Sequence, residues 1–393
     1  MIFTKNFVLL FISNLLLIMG IMLLLPILPL FSTQVLGLAE SHVGIVVSAF
    51  AFAALICRPF IGYAVDNLNR KFILLSASVI FTAVFFSYSL VSAIIPLLFL
   101  RVAHGISWAS FSTTGPAAVT DILPLKKRGE GFGYFSMGLP IAMVAGPALG
   151  VLILEHTGSF NLIFYGSAAM GVVGTVFVAI LKLPKEKREK KPFILSPFAL
   201  YEGRSLGISL LQFCFSFSYA GIVTFMPLYS HKTGIGNSGW FFVVYAIGIL
   251  ISRFRVRHTF DLKGPDRLIL TGFAFFIMGL IALAFMSGAF LFYFAAAAAG
   301  CGAGIVLPTL ATMNMNVVPQ SRRGKANATL FTAIDIGVGS GAFILGFVIE
   351  KLSYTLTYII VAAILIPPVI WYFKSGRKGY LSYIALAEEE DSA

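Results

Sequence analysis

Three side chains able to hold or move charge stand inside long apolar stretches of this chain: Arg101, His104 and Asp335. An ionisable group in such surroundings is costly and normally faces a partner or water, so each is a candidate for function. Burial favours the protonated form of a carboxylic acid, which suits Asp335 to loading and releasing a proton. The alternative for it is a fixed pair with a basic or amide side chain. The imidazole of His104 titrates near neutral pH and suits proton transfer, with a packed, hydrogen-bonded histidine as an equal alternative. Arg101 is read as functional, against a structural ion pair or a side chain reaching outward to water. Arg101, Gly105, Trp108 and Ser112 recur at i, i+4, i+7 and i+11, so they share one helix face.

The elements that hold these groups follow from composition. Of 393 residues, 59% are apolar and 11% charged, where a soluble domain has about 45–50% and about 25%. This excludes a disordered chain, a coiled coil, a collagen-like fibre and an ordinary soluble enzyme, and it fits a polytopic membrane protein. Twelve apolar runs fall at 7–31, 41–65, 72–94, 96–120, 131–153, 160–182, 205–229, 237–256, 268–288, 290–316, 328–349 and 354–373. Each is near the roughly 20 residues that a helix needs to cross a bilayer. They lack the period-2 alternation of barrel strands, so they are expected to be helices. The first run is too long for a signal peptide and is read as an uncleaved span. Cys57, Cys214 and Cys301 lie inside apolar runs without metal spacing and are read as membrane-buried thiols.

The basic residues orient the bundle. With the N-terminus in the cytoplasm, all but Arg58, Arg101, Lys232 and Lys351 of the 28 Lys and Arg fall in cytoplasmic segments or at their edges. The positive-inside rule therefore places both termini in the cytoplasm of a cell membrane, of bacterial inner-membrane type. The formal net charge of +12 is mostly this orientation signal, and a nucleic-acid partner is not expected. Glu155 and Glu350 then lie at external span ends and Asp121 at a cytoplasmic one, leaving Asp335 as the clearest acid within a span.

The chain divides into an N-terminal six-helix half (1–182), a charged linker (183–204), a C-terminal six-helix half (205–373) and a tail (374–393). The linker is read as a solvated tether near lipid headgroups, and the acidic end of the tail, Glu388 to Asp391, as solvated. The halves repeat at an offset of 195 residues: Arg58 falls on Arg253, Asp66 on Asp261, Gly105 on Gly300, Pro124 on Pro319, Arg128 on Arg323, Gly129 on Gly324 and Gly146 on Gly341. Matched halves are what an alternating-access transporter requires, and a sensor or membrane enzyme does not.

Between spans 2 and 3 stand Arg58, Gly62, Asp66, Arg70 and Lys71. This run resembles the loop signature G-x-x-x-D-x-x-x-R-[KR] of the major facilitator superfamily, with Asn69 where that family usually has Gly. On physical grounds Gly62 is expected to admit a close helix approach, and Asp66 to sit against a helix N-terminus. The resemblance implies a gating loop that latches the two halves. The second copy keeps Arg253, Asp261 and Gly264 but has Arg257 at the place of Gly62. Arg101 to Gly105 resembles the family's R-x-x-x-G signature, with His104 where Gln is usual.

Span 5 carries Gly138, Gly146, Pro147 and Gly150, which resembles the antiporter signature G-x-x-x-G-P-x-x-G-G, with Val151 at the final position. The resemblance implies export, and an ordinary Gly-rich packing face is the alternative. In that family spans 1, 4, 7 and 10 line the central cavity. Here they offer Asn14, Trp108, Ser112, Gln212, Ser216, Tyr219, Asn314 and Asn316, which suit an amphipathic or weakly polar solute. The alternating glycines Gly300, Gly302 and Gly304 lie mid-span without a preceding strand, so a dinucleotide loop is not read there. No ATP-binding motif, catalytic triad or metal spacing is evident. The sequence is thus expected to encode a twelve-helix, monomeric secondary transporter of two pseudo-symmetric bundles. It would move a small organic molecule in exchange for protons, with no cofactor and with membrane lipids around it. An importer of sugars or organic acids is the nearest alternative, and a transporter-like sensor a more distant one.

Overall fold

The computed structural model describes residues 3–124, 127–183, 201–319 and 322–392, and among these there is no strand. The helices are α1 (Lys5–Gln34), α2 (Glu40–Asn67), α3 (Arg70–Leu90), α4 (Ile94–Ile122), α5 (Glu130–Thr157), α6 (Phe160–Ile180), α7 (Gly203–Thr233), α8 (Ser238–Lys263), α9 (Asp266–Ala284), α10 (Ala289–Asn316), α11 (Arg323–Lys351) and α12 (Tyr354–Glu390). Eleven of these are long and apolar enough to cross a membrane. The twelve-span expectation is therefore met by eleven. The exception is α8, apolar only over Ser238–Arg253, because Arg253, Arg255 and Arg257 enter its second half.

Local chemistry sets the helix ends. Asn69 caps α3 by accepting from the Lys71 N–H at 2.9 Å, which accounts for Asn where a Gly is usual in the family. Ser159 and Asn237 cap α6 and α8 in the same way, at 3.3 and 2.9 Å. The ends of α5 and α7 are left-handed glycines, Gly158 and Gly234. One turn of α7, Gly221–Phe225, widens just ahead of Pro227, whose missing N–H interrupts the regular ladder.

The chain forms two compact units, Met1–Leu38 with Ala49–Ile194, and Ala39–Ser48 with Leu195–Ala393. In the first, α1 packs on α5 and α6, and α3 on α4 and α6. In the second, α10 lies against both α8 and α9, α7 packs on α11, and α9 on α12. The first residues of α2 belong to this second unit: Ser41 N–H donates to Glu350 Oε2 at 3.1 Å, and Lys232 pairs with Glu40 at 3.6 Å.

The repeat holds at the level of contacts. A Cβ on Gly105 would run into the Phe50 carbonyl, and a Cβ on Gly300 into the Tyr245 carbonyl. A Cβ on Gly146 would meet Met22, and one on Gly341 would meet Phe217 at 2.5 Å. Phe50 and Tyr245, and likewise Met22 and Phe217, stand at the same 195-residue offset as the glycines they face. Glycine is required at these seams because two helix backbones approach within the space a methyl group would fill.

The tail is ordered as helix: Arg377–Ser392 continues the line of α12, with Tyr380 and Ala387 buried, while Glu388, Glu389 and Glu390 stay exposed as expected. Arg204 grips Glu390 with two nitrogens at 2.6 and 3.4 Å, and Arg377 Nε lies 2.7 Å from Asp266. These partners lie far away in sequence and give the tail a surface to fold onto.

Candidate functional site

The face of α4 singled out by spacing turns toward one residue of α2, Phe50. The Arg101 guanidinium lies 4.5 Å from the Phe50 ring centre, a cation–π contact that softens the cost of a charge among apolar groups. The Trp108 ring is 6.5 Å from that of Phe50, and Gly105 provides the backbone clearance between them. Ser112, one turn further, returns its hydroxyl to the Ala109 carbonyl at 3.5 Å. Arg101 and His104 are 3% and 0% exposed, so both are interior groups rather than interfacial ones.

His104 is boxed in by aromatic rings. Phe50, Phe81 and Phe85 approach it edge-on, with centroids at 5.3, 4.7 and 5.1 Å. Its Nδ1 lies 3.0 Å from the Tyr88 hydroxyl, and its Nε2 has no hydrogen-bond partner among the described residues. Tyr88, fully buried at the end of α3, also lies against Arg101. Sequence reading missed Tyr88, since a tyrosine in an apolar run gives no signal that its hydroxyl has a charged neighbour.

In the second unit Asp335 is buried on α11. Two residues on, a Cβ at Gly337 would touch Ser216 of α7 at 2.7 Å. Gln212 donates to Ser216 Oγ at 2.9 Å, so two of the cavity candidates form a buried pair beside this seam. Tyr219 stacks on Phe215 and lies near Tyr245. Tyr245 went unnoticed in the sequence, although it occupies the repeat position of Phe50. Its hydroxyl is buried without a hydrogen-bond partner among the described residues. Asn314 is 0% exposed, and both its amide atoms are likewise unpartnered. A buried amide in that state is costly, and water or a polar solute would relieve the cost. Asn316 sits elsewhere: it meets the Tyr380 hydroxyl of the tail helix at the last residue of α10. In the first unit Asn14 is buried on α1, its Nδ2 3.0 Å from where a Cβ of Gly138 would stand.

The run from Arg58 to Lys71 forms the end of α2 and the start of α3. Arg70 binds Asp121 at the end of α4 at 2.5 Å and donates to the carbonyls of Ala117 and Val65 at 2.9 and 3.3 Å. Lys71 Nζ donates to the Ala179 carbonyl at 2.7 Å. Asp121, set aside in the sequence as a helix-end residue, is thus part of this cluster. Arg58 and Asp66 are both half-buried. The expectation for Gly62 is not met: no described atom lies within 4 Å of where its Cβ would sit, and the close approaches fall at the seam glycines instead. In the second copy Arg253 is half-buried, its Nε without a hydrogen-bond partner among the described residues, while the Asp261 side chain lies outside them. Most of the linker, 184–200, also lies outside the described residues.

The α5 signature does structural work in the first unit. Gly146 and Gly150 press α5 onto Met22 and Leu23 of α1, with Pro147 between them. The three cysteines are unpaired, with Cys214 buried and Cys57 and Cys301 half-buried.

The family model described as Major Facilitator Superfamily matches residues 10–289 and 208–380. The chain is 24% identical over 350 residues to a staphylopine export protein of Staphylococcus aureus (strain Mu50 / ATCC 700699), covering 86% of this chain and 88% of that one. It is 24% identical over 359 residues to the quinolone resistance protein NorA of Staphylococcus aureus (strain MSSA476), covering 87% and 89%. In fold it is similar to the crystal structure of a D-xylose–proton symporter, with a TM-score of 0.76 at 12% identity over 94% of this chain and 97% of that one.

Proposed function

Because the chain belongs to the Major Facilitator Superfamily, and so is a multi-pass membrane transporter of small molecules rather than an enzyme, we propose that it exports an amphipathic organic solute in exchange for protons. The observation that carries the direction is the glycine–proline seam of α5 on α1. The printed names of two relatives, one an exporter and one a resistance protein, support the same reading. The proton gradient is the energy source, and no cofactor is needed. Both termini face the cytoplasm, as the distribution of Lys and Arg favours.

Asp335 is the proton carrier of this reading and Arg101 the fixed cation that biases its own unit. Their burial supports both roles, since a charge held among apolar groups changes the energy of a unit each time it is neutralised or rehydrated. Asn314, Gln212, Tyr219 and Tyr245 in the second unit, with Asn14 and Trp108 in the first, supply neutral hydrogen-bonding and aromatic groups for the solute.

Flux in proteoliposomes under an imposed pH gradient tests the proposal, with a panel of quinolones, other drugs, sugars, amino acids and metal chelators. Uptake into everted vesicles is expected. Uptake confined to right-side-out vesicles makes the protein an importer and overturns the direction. Flux indifferent to the pH gradient overturns the coupling.

A further inference from the structure

Arg101 is held by a chain of groups whose hydrogen-bonding directions can be worked out. A guanidinium has only donors. The Tyr88 oxygen beside it therefore accepts, and the phenolic proton is left to be donated. It goes to His104 Nδ1, 3.0 Å away. With His104 Nδ1 accepting that proton, the neutral ring carries its own proton on Nε2. That nitrogen has no hydrogen-bond partner among the described residues, and the rings of Phe50, Phe81 and Phe85 pack around the imidazole. Each of the three polar groups is at most 3% exposed, so water does not compete for these positions.

We propose that Tyr88 is a positioning residue for Arg101, its hydroxyl linking the guanidinium to His104 Nδ1 and so fixing where the buried charge points. The second unit has Leu283, Ala296 and Ala299 at the places of Tyr88, Arg101 and His104, so the device exists in one copy of the repeat. The second unit does without a hydroxyl at this point, where it has no cation to orient. The consequence for transport rests on the role given above to Arg101, but the positioning itself does not.

The test uses the full-length protein in lipid nanodiscs, labelled with 15N-arginine. The Arg101 Nη signals are assigned by their loss in Arg101→Lys. They are expected to be distinct in the native protein, as for a pinned guanidinium, and merged in Tyr88→Phe, which removes one oxygen and keeps the ring. His104→Gln, whose side-chain carbonyl can still accept from Tyr88, is expected to keep them distinct, and His104→Leu to lose them. In proteoliposomes, pH-driven flux of a fluorescent quinolone is expected to fall about tenfold in Tyr88→Phe, the scale of one hydrogen bond to a charged group. It should fall no further when that change is added to Arg101→Lys. Unchanged Arg101 signals in Tyr88→Phe overturn the proposal. Merged signals with native flux in both Tyr88→Phe and Arg101→Lys uphold the positioning and overturn the coupling role of Arg101 instead.

Discussion

Lys71 and Asp266 occupy the same place in the two halves of the repeat, yet they carry opposite charge. Each ties the start of its half's third helix to its sixth. In the first unit that sixth helix, α6, stops at Ile180, and its last carbonyls have no partner within the helix. A cation suits such an end, and Lys71 donates to Ala179 O. In the second unit α12 runs on, so the carbonyls at the corresponding level are already used within the helix. The partners there are side chains, Tyr372 at 2.9 Å and Arg377 at 2.7 Å, and an anion suits them. The same logic separates Asp121, which holds Arg70, from its counterpart Asn316, which meets Tyr380 of the continued helix. Duplication kept the positions, and where the neighbouring helix ends decided the chemistry placed on them.

The buried polar groups diverge more sharply. Arg101 corresponds to Ala296 in the other copy, Asp335 stands where the first unit has Pro140, and neither charge has a like-charged counterpart. The seams beneath them are shared. The largest effect is expected where the copies differ most: Asp335→Asn should lower pH-gradient-driven flux by about a hundredfold or more. Substrate exchange without a gradient should persist, and retained coupling would remove the asymmetry from the mechanism. Next come the shared seams. Gly105→Ala and Gly300→Ala should each cost about 1–3 kcal/mol by overpacking, read as lowered thermal stability in detergent. A large effect in only one of them would break the equivalence of the two units.

Charge exchange at the tie points is expected to be smaller. Lys71→Asp and Asp266→Lys should each cost about 1 kcal/mol, since these sites are partly exposed. Restoration of Asp266→Lys by Arg377→Glu in the same chain, measured by melting, would sharpen the comparison. Glu390→Gln should do least, with trimming of the tail by carboxypeptidase raised by less than about twofold. A tail no more open after that change would mean that the Arg204 grip is incidental.

Much of this was legible in the sequence. Apolar run length located the helices, and the fixed offset found glycines whose contact partners also repeat. The rest involved contacts that no local pattern encodes. Tyr88 and His104 are 16 residues apart on different helices, and Arg70 and Asp121 are 51 apart. The helix of the tail was not legible because that stretch lacks an apolar run. Its Tyr380 and Ala387 become buried only because α12 carries them past Asn316 and Arg204. Gly62 was misjudged for the opposite reason, since a glycine in a motif says nothing about which neighbour has moved close. Asn316 was assigned to the cavity on helix membership alone, and one residue of α10, Met315, separates it from the fully buried Asn314.

The widened turn of α7 has a mechanical consequence. Where a carbonyl fills the place of a methyl group, as at Gly105 and Gly300, the two helices in contact have no clearance to slide past one another. Compliance must then reside where the ladder is already imperfect, and Gly221–Phe225 ahead of Pro227 is such a place, a ready-made flexure inside an otherwise stiff rod. Amide hydrogen exchange is expected to be faster at Val223–Phe225 than at Leu211–Phe215 of the same helix, although the first stretch is buried throughout and the second includes the half-buried Phe213. Equal protection would mean that α7 is as stiff there as anywhere else.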